Sequence, residues 1–251
     1  MNLFYEKIGK GKPILFLPGL GLNHHLFDDT VKELKDNFEL ILVDLYGTGN
    51  SPKPESHYSF KLDALEVFKI VKDYDELYVI AHSRGVKVSL RLTEIYKNIQ
   101  KAVFVGQAGF GENDDIFKKN VEEIRKNREN LSKREFGRKL ESGLNFGKVF
   151  GDVETLTKLK IAKENSDVID AILRRDEDEC NYKKLAEEAD FEVNFIVGEK
   201  DPFLNDVKSA LSVYKNANLF IINNSGHFPM IEKSEDFNKI LKRIFMEEKW
   251  K

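Results

Sequence analysis

One serine stands where a strand pattern gives way to a helix pattern, and this junction constrains the chain more than any other stretch. Residues 77–81 form a short apolar run of strand type, Ser83 follows, Gly85 comes two places later, and residues 86–96 show helical spacing. A serine at such a tight turn is forced out of the sheet, so nearby backbone N–H groups can face a developing oxyanion. The pattern predicts a nucleophile elbow with Ser83 as the nucleophile.

The partners that a reactive serine needs follow downstream. Asp201 comes just after a strand pattern at 193–197, and His227 comes after another at 219–222. A serine hydroxyl needs a base to take its proton, and an acid must hold that base in the right tautomer. The chain order of nucleophile, acid and base is the order found in α/β-hydrolases, and it differs from the chymotrypsin and subtilisin orders.

Each assignment has a simpler alternative. Ser83 is also a favourable helix N-cap residue, and His227 could be a loop histidine that hydrogen-bonds to backbone groups. Asp201 precedes a proline, which is common in ordinary turns. Asp114 is the main rival for the acid, and Asp206 is a more remote one.

Strand and helix patterns alternate along most of the chain, which predicts an α/β fold with a mostly parallel sheet covered on both faces. The predicted strands are 2–7, 14–17, 39–44, 77–81, 102–106, 193–197 and 219–222, and the helices between them include 60–72 and 236–246. The strand rhythm breaks between about 109 and 190. Helical patterns at 116–124, 132–136 (a capping box) and 168–173 predict helices within this stretch, which is too long for an ordinary loop.

These motifs give the chain a clear family resemblance. It resembles an α/β-hydrolase-fold serine hydrolase of the compact carboxylesterase-like type, from residues 5–13 through 226–232, apart from the variable middle. Residues 15–21 resemble the family's oxyanion loop, and residues 44–51 match its Asp-x-x-Gly-x-Gly-x-Ser loop. The resemblance implies that the backbone N–H groups of Leu20 and Arg84 form an oxyanion hole.

The resemblance also implies a domain plan. Residues 1–108 and 191–251 would form the hydrolase core, and residues 109–190 would form a helical cap over the site. Three positions depart from the family pattern: Ala81 replaces the usual glycine of the elbow, Val86 stands where a small residue is common, and Pro18 replaces the usual histidine of the oxyanion loop. None of these changes removes a reacting group.

Side chains around the predicted triad suggest further roles. Four phenylalanines flank the site and are candidates for lining a substrate pocket: Phe27, Phe110, Phe203 and Phe228. The Arg84 side chain is expected to be a surface or cap-contacting cation, with contact to an anionic substrate as the alternative. His82 is expected to pack or hydrogen-bond beside the elbow.

Composition narrows the functional class. The 251 residues carry a net charge of −3, which argues against a nucleic-acid surface. A single cysteine, Cys180, and a first segment without a signal-peptide pattern indicate a cytoplasmic protein with no disulfide. Apolar runs fall short of the roughly 20 residues of a membrane helix. Neither a metal nor a cofactor is expected, and monomer and homodimer both remain open.

The sequence therefore predicts hydrolysis of a small or medium-sized ester. A carbon–carbon bond hydrolase or an acyltransferase of the same fold would keep the same three residues, so both stay open. A non-catalytic ligand-binding protein is a further alternative, because Ala81 and Val86 could distort the elbow. The serine itself argues against dehalogenase and epoxide hydrolase chemistry, in which this fold uses an aspartate at the elbow.

Overall fold

The computed structural model describes residues 2–53, 59–112, 152–165 and 180–246, together with positions 115, 119 and 122. Several predictions rest mainly or wholly on residues outside these ranges: the helix expected within 116–124, of which only positions 119 and 122 are described, the helices within 132–136 and 168–173, and the rival acid Asp114. The division into a core and a cap at 109–190 therefore remains a prediction. Two helices of that stretch are described, and both are given below.

In the part of the chain that the structure describes, seven strands form one sheet, and this confirms the predicted α/β class with a mostly parallel sheet. The strands are β1 Tyr5–Ile8, β2 Lys12–Leu17, β3 Phe38–Val43, β4 Leu77–His82, β5 Ile99–Val105, β6 Glu192–Gly198 and β7 Ala217–Ile222. Their spatial order is β1-β3-β2-β4-β5-β6-β7. β1 pairs antiparallel with β3, and the other neighbouring strands pair parallel.

Helices flank the sheet in the described part of the chain. They are α1 Asp28–Leu34, α2 Phe60–Val71, α3 Arg84–Leu92, α4 Val153–Ala162, α5 Tyr182–Glu188, α6 Leu204–Ala210, α7 Pro229–Glu232 and α8 Ser234–Met246, with a short 3₁₀ helix at His24–Phe27. The predicted helices at 60–72 and 236–246 are present within two residues of their expected ends. α3 starts at Arg84, two residues before the predicted helix at 86–96. It is nevertheless shorter than predicted, because it gives way to turns after Leu92.

The sheet separates two hydrophobic clusters because successive side chains of a strand point to opposite faces. In β2, Leu15 and Leu17 belong to the cluster under α2 and α3, whereas Ile14 and Phe16 belong to the cluster on the other face. Both faces are buried, and this explains the nearly continuous apolar runs of the parallel strands.

The parallel arrangement positions the functional loops. The carboxyl ends of β2, β4, β5, β6 and β7 lie at one edge of the sheet, where open α/β sheets place their ligand sites. The oxyanion loop, the elbow and the loops that carry Asp201 and His227 all begin at this edge. Among the helices of the described residues, none is long and apolar enough to cross a membrane.

Candidate active site

Ser83 occupies a strained turn between β4 and α3. Its backbone has φ 51° and ψ −115°, in the left-handed region that residues with a side chain rarely adopt. It stands at the N-cap position, but within the described structure its side chain makes no capping hydrogen bond to α3. The capping alternative therefore does not explain this serine. Backbone strain of this kind persists where the surrounding structure holds it, and it is concentrated at functional sites.

Gly85 explains why the elbow can be so tight. A β-carbon at this position would lie 2.2 Å from the backbone oxygen of Leu17, so only glycine lets α3 approach the end of β2. The two residues near the elbow that depart from the family pattern fit the same geometry. Ala81 pairs in register with Leu17, and Val86 is fully buried in the core. The elbow is therefore formed despite the two departures from the family pattern.

The structure brings His227 and Asp201 together. Nδ1 of His227 lies 3.0 Å from Oδ2 of Asp201, and both side chains are buried. The other carboxylate oxygen of Asp201 accepts the backbone N–H of Phe203 at 2.9 Å, which fixes the carboxylate in the turn after β6. Because a carboxylate only accepts hydrogen bonds, Nδ1 carries the proton and Nε2 presents its lone pair. The rival Asp206 lies on α6 instead.

Ser83 and His227 both lie against the end of β5. The Ser83 N–H donates to the carbonyl of Val105 at 2.9 Å. The next residue, Gly106, lies against the histidine–aspartate pair: a β-carbon there would stand 2.8 Å from His227 Nδ1 and 3.0 Å from Asp201 Oδ2. Sequence reasoning treated Gly106 only as a strand end, and its positive φ of 70° is visible only in the structure.

His82 links the elbow to the histidine loop. Its Nε2 lies 2.9 Å from the carbonyl oxygen of His227, and the two imidazole rings are 4.8 Å apart. Complete burial, with a further contribution from the charge of His227, holds the pKa of His82 well below its usual value. A neutral ring can donate through only one nitrogen, so the proton is on Nε2. His82, which was expected to pack or hydrogen-bond beside the elbow, thus has a specific hydrogen-bond partner, the carbonyl oxygen of His227.

Glu232 holds the backbone on both sides of His227. One of its carboxylate oxygens accepts from Gly226 N at 2.5 Å and from Ser225 Oγ at 3.2 Å, and the other accepts from Phe228 N at 3.2 Å. Burial raises the pKa of Glu232, although these hydrogen bonds oppose the shift. Sequence reasoning did not single out this residue. An acid five places after the histidine was the only available signal.

The oxyanion loop closes into a turn after β2. The Leu22 N–H donates to the carbonyl of Gly19 at 3.2 Å, and Gly21 adopts a positive φ of 68°. Leu20, whose backbone N–H is the predicted oxyanion donor, is half-buried at the tip of this turn. Gly19 packs on the ring of His82, because a β-carbon there would stand 2.7 Å from His82 Nδ1. The loop and the elbow are therefore in direct contact.

The four candidate phenylalanines lie in different surroundings. The ring centroids of Phe203 and Phe228 are each 5.3 Å from that of His227. Phe27 is fully buried and packs on Phe16 in the core, and Phe110 stacks on Tyr214. The structure therefore brings two of the four against the predicted catalytic base.

The Arg84 side chain corrects one expectation. It does not lie on the surface: the residue is only 4% exposed, and its Nη2 donates to Oδ2 of Asp63 on α2. The other oxygen of Asp63 accepts the backbone N–H of Tyr46 at 3.1 Å. The residue whose N–H is the second predicted oxyanion donor is thus tied to α2 and to the loop after β3. Asp63 lies within the helix pattern at 60–72, and no local motif signals this pair.

A second histidine–aspartate pair supports the loop after β3. Asp44 accepts hydrogen bonds at 2.8 Å each from the backbone N–H and Nδ1 of His24, and from the N–H of Asn50. Burial lowers the pKa of His24, but the hydrogen bond and charge of Asp44 outweigh burial and raise it overall. The pair therefore ties the 3₁₀ helix to the loop after β3. Within the described ranges, histidine, cysteine and acidic side chains form no cluster suited to a metal ion.

Comparison with known proteins identifies the family. The model of the alpha/beta hydrolase fold family matches residues 12–234, and the chain belongs to this family. The chain is 37% identical over 97 residues to "Probable lysophospholipase BODYGUARD 4" of Arabidopsis thaliana, a match that covers 36% of this chain and 23% of that protein. It is 42% identical over 72 residues to the AB hydrolase superfamily protein YisY of Bacillus subtilis, covering 28% and 27%. The chain thus spans about a quarter of these relatives.

Solved structures show the same fold over nearly the whole chain. An esterase from Exiguobacterium antarcticum superimposes with a TM-score of 0.75 at 20% identity, covering 96% of this chain and 94% of that one. Structures with this fold also include a bromoperoxidase and an epoxide hydrolase. The fold therefore admits several chemistries, and the site residues must decide among them.

Proposed function

We propose that this protein is a serine hydrolase that cleaves carboxylic esters of small or medium-sized substrates through an acyl-enzyme. The main support is the convergence at the end of β5, where the strained Ser83 elbow is hydrogen-bonded to Val105 and the buried His227–Asp201 pair lies against Gly106. A nucleophile, a base and an orienting acid on three loops of one sheet edge form the arrangement that acyl transfer requires.

The geometry supports a two-step reaction. Nε2 of His227 accepts the proton of the Ser83 hydroxyl as the oxygen attacks the ester carbonyl, and Asp201 stabilises the resulting imidazolium. The backbone N–H groups of Leu20 and Arg84 stabilise the tetrahedral oxyanion, and one such donor is typically worth about 3 kcal/mol of the barrier. His227 then protonates the leaving alcohol and activates the water that releases the acid.

Two further observations favour ester cleavage. The nucleophile position holds a serine, which forms an acyl-enzyme with an ester. The names of two similar proteins, a lysophospholipase and an esterase, also point to ester substrates. The capping explanation for Ser83 is weakened because its side chain does not cap α3.

The first test combines turnover with active-site labelling. Wild-type protein should hydrolyse a series of p-nitrophenyl esters from acetate upward, and Ser83→Ala should lower kcat by roughly 10⁵-fold or more. A fluorophosphonate should label folded wild type but not Ser83→Ala. A folded wild type that neither labels nor hydrolyses any ester would instead support the non-catalytic ligand-binding alternative. Faster cleavage of vinylogous diketones than of esters would support the carbon–carbon hydrolase alternative.

The second test separates the two nearby acids. Asp201→Asn should reduce kcat by about 10⁴-fold, because the amide no longer selects the productive tautomer of His227. Asp206→Asn is the matched control, since it replaces one carboxylate oxygen of the rival acid by the same amide nitrogen, and it should retain activity within a few-fold. Equal losses in the two variants would remove Asp201 from the proposed triad.

A further inference from the structure

Asn23 connects the oxyanion loop to a helix of the 109–190 stretch. Its backbone N–H donates to the carbonyl of Ala162 at 2.7 Å, and its side-chain Nδ2 donates to the carbonyls of Ile161 and Glu164 at 3.1 Å and 3.2 Å. The last carbonyls of a helix have no partner within the helix. One buried residue of the core therefore caps the C-terminal end of α4.

The same side chain also fixes the chain that follows the oxyanion loop. Oδ1 of Asn23 accepts the N–H of His25 at 3.0 Å and so caps the 3₁₀ helix. Both N–H groups and the oxygen of the amide are thereby used, and the residue is only 3% exposed. Because the amide has one donor end and one acceptor end, it can serve both helices at once only in this orientation.

The short segment between Asn23 and Leu20, the predicted oxyanion donor, has little conformational freedom. Leu20 is three residues away, and the turn between them is closed by the bond from Leu22 N to Gly19 O. The loop after β3 also packs closely against Asn23, since a β-carbon at Gly49 would lie 2.9 Å from Asn23 Cβ. A change in the seating of Asn23 must therefore be taken up by the turn that carries Leu20.

We propose that Asn23 is a positioning residue for the oxyanion hole: it couples the seating of α4 to the orientation of the Leu20 N–H. This inference rests on the proposed esterase function for its catalytic consequence, but the coupling itself is a property of the structure. Through this coupling, the oxyanion hole is complete only when the C-terminal end of α4 is docked on Asn23. Preorganised donors at the oxyanion give enzymes much of their rate, so small displacements of the loop are costly.

The chain offers a second contact of α4 that makes a matched control. Lys158, in the middle of α4, pairs with Asp29 on α1 at 2.7 Å and with Glu154 at 2.9 Å. This contact also holds α4 against the core, but it does not pass through the oxyanion loop. Removing it tests the docking of the helix separately from the coupling.

The test variant is Asn23→Asp, with Asn23→Ser as a second variant in case the first does not fold. Both keep an oxygen that can cap the 3₁₀ helix, and both remove the Nδ2 donor that reaches Ile161 and Glu164. Lys158→Met is the control. The measurements are kcat and KM for p-nitrophenyl butyrate, the inhibition constant of a trifluoromethyl ketone that forms a tetrahedral adduct with serine, and amide hydrogen exchange of residues 19–24 and 159–165.

We expect the Asn23 variants to lose up to about 100-fold in kcat, with KM nearly unchanged and with an equal loss in affinity for the ketone. Hydrogen exchange should accelerate in both segments together. Lys158→Met should leave kcat and ketone affinity within about twofold. Equal losses in Lys158→Met, unchanged kcat in folded Asn23 variants, or faster exchange at 159–165 alone would each overturn the proposal. If the wild type cleaves no ester and the Asn23 variants still show joint acceleration of exchange, the coupling is upheld and the esterase function is rejected.

Discussion

Nε2 of His82 donates a hydrogen bond to the carbonyl oxygen of His227, 145 positions along the chain. The residue before the nucleophile thus holds the backbone of the residue proposed as its base. Burial keeps the pKa of His82 far below its usual value, so this ring stays neutral and places no positive charge beside His227. The elbow and the histidine loop are therefore aligned by a direct contact as well as by the sheet.

This contact predicts a difference between two substitutions at position 82. His82→Leu removes the donor and leaves a buried carbonyl unsatisfied, at a cost of about 1–3 kcal/mol in unfolding free energy. We expect kcat to fall roughly tenfold while KM changes little. His82→Gln can place an amide N–H near the original Nε2 and should recover most of the rate. If both variants fold and turn over equally, the alignment role is excluded.

A second prediction concerns Glu232, whose carboxylate accepts three hydrogen bonds from the loop around His227. Glu232→Gln replaces one acceptor oxygen by a donor that faces a backbone N–H. We expect about a tenfold lower kcat and a loss of about 1–3 kcal/mol in stability, measured by urea unfolding. Glu235→Gln, on the exposed first turn of α8, is the control and should leave both values unchanged. Retention of wild-type kcat in Glu232→Gln would contradict the expectation.

The buried pair of Arg84 and Asp63 predicts a non-additive double-mutant cycle. Asp63→Ala leaves the guanidinium buried without its partner and should cost about 3–5 kcal/mol of unfolding free energy. Arg84→Met and the double variant of Arg84→Met with Asp63→Ala complete the cycle, and the double variant, which carries neither charge, should be less destabilised than Asp63→Ala alone. The backbone N–H of residue 84 is kept in every variant. Additive effects of the two sites in urea unfolding would show that the charges do not interact.

His24 predicts a pH dependence of stability. Its pKa is raised in the folded protein because Asp44 outweighs the effect of burial. A raised histidine pKa stabilises the fold fully below the unfolded value of about 6.5, and this contribution is lost as pH rises through the folded value. The difference in unfolding free energy between wild type and His24→Gln should therefore shrink from pH 5.5 to pH 8.5. A difference that grows with pH would reverse the assigned direction.

Much of the fold could be read from local patterns. The runs at 193–197 and 77–81 predict their strands because buried parallel strands are continuously apolar. Boundaries were less accurate where polar residues extend a strand: β5 begins at Ile99, three positions before the expected start, through Gln100 and Lys101. Ile99 and Lys101 pair with β4, and Lys101 also pairs with β6, which holds this segment in the sheet, and no local pattern reveals such pairing.

The sequence by itself determined the order of strands and helices and the tight turn at Ser83, and it placed Asp201 and His227 just after two strands, because each depends on a short motif at a strand end. Tertiary structure alone decided which groups support them. His82 and Glu232 hold the histidine loop, Asp63 buries the Arg84 side chain, and Asn23 joins α4 to the oxyanion loop. Each of these contacts requires a buried donor and acceptor to meet in three dimensions, and hydrophobic periodicity carries no information about that meeting.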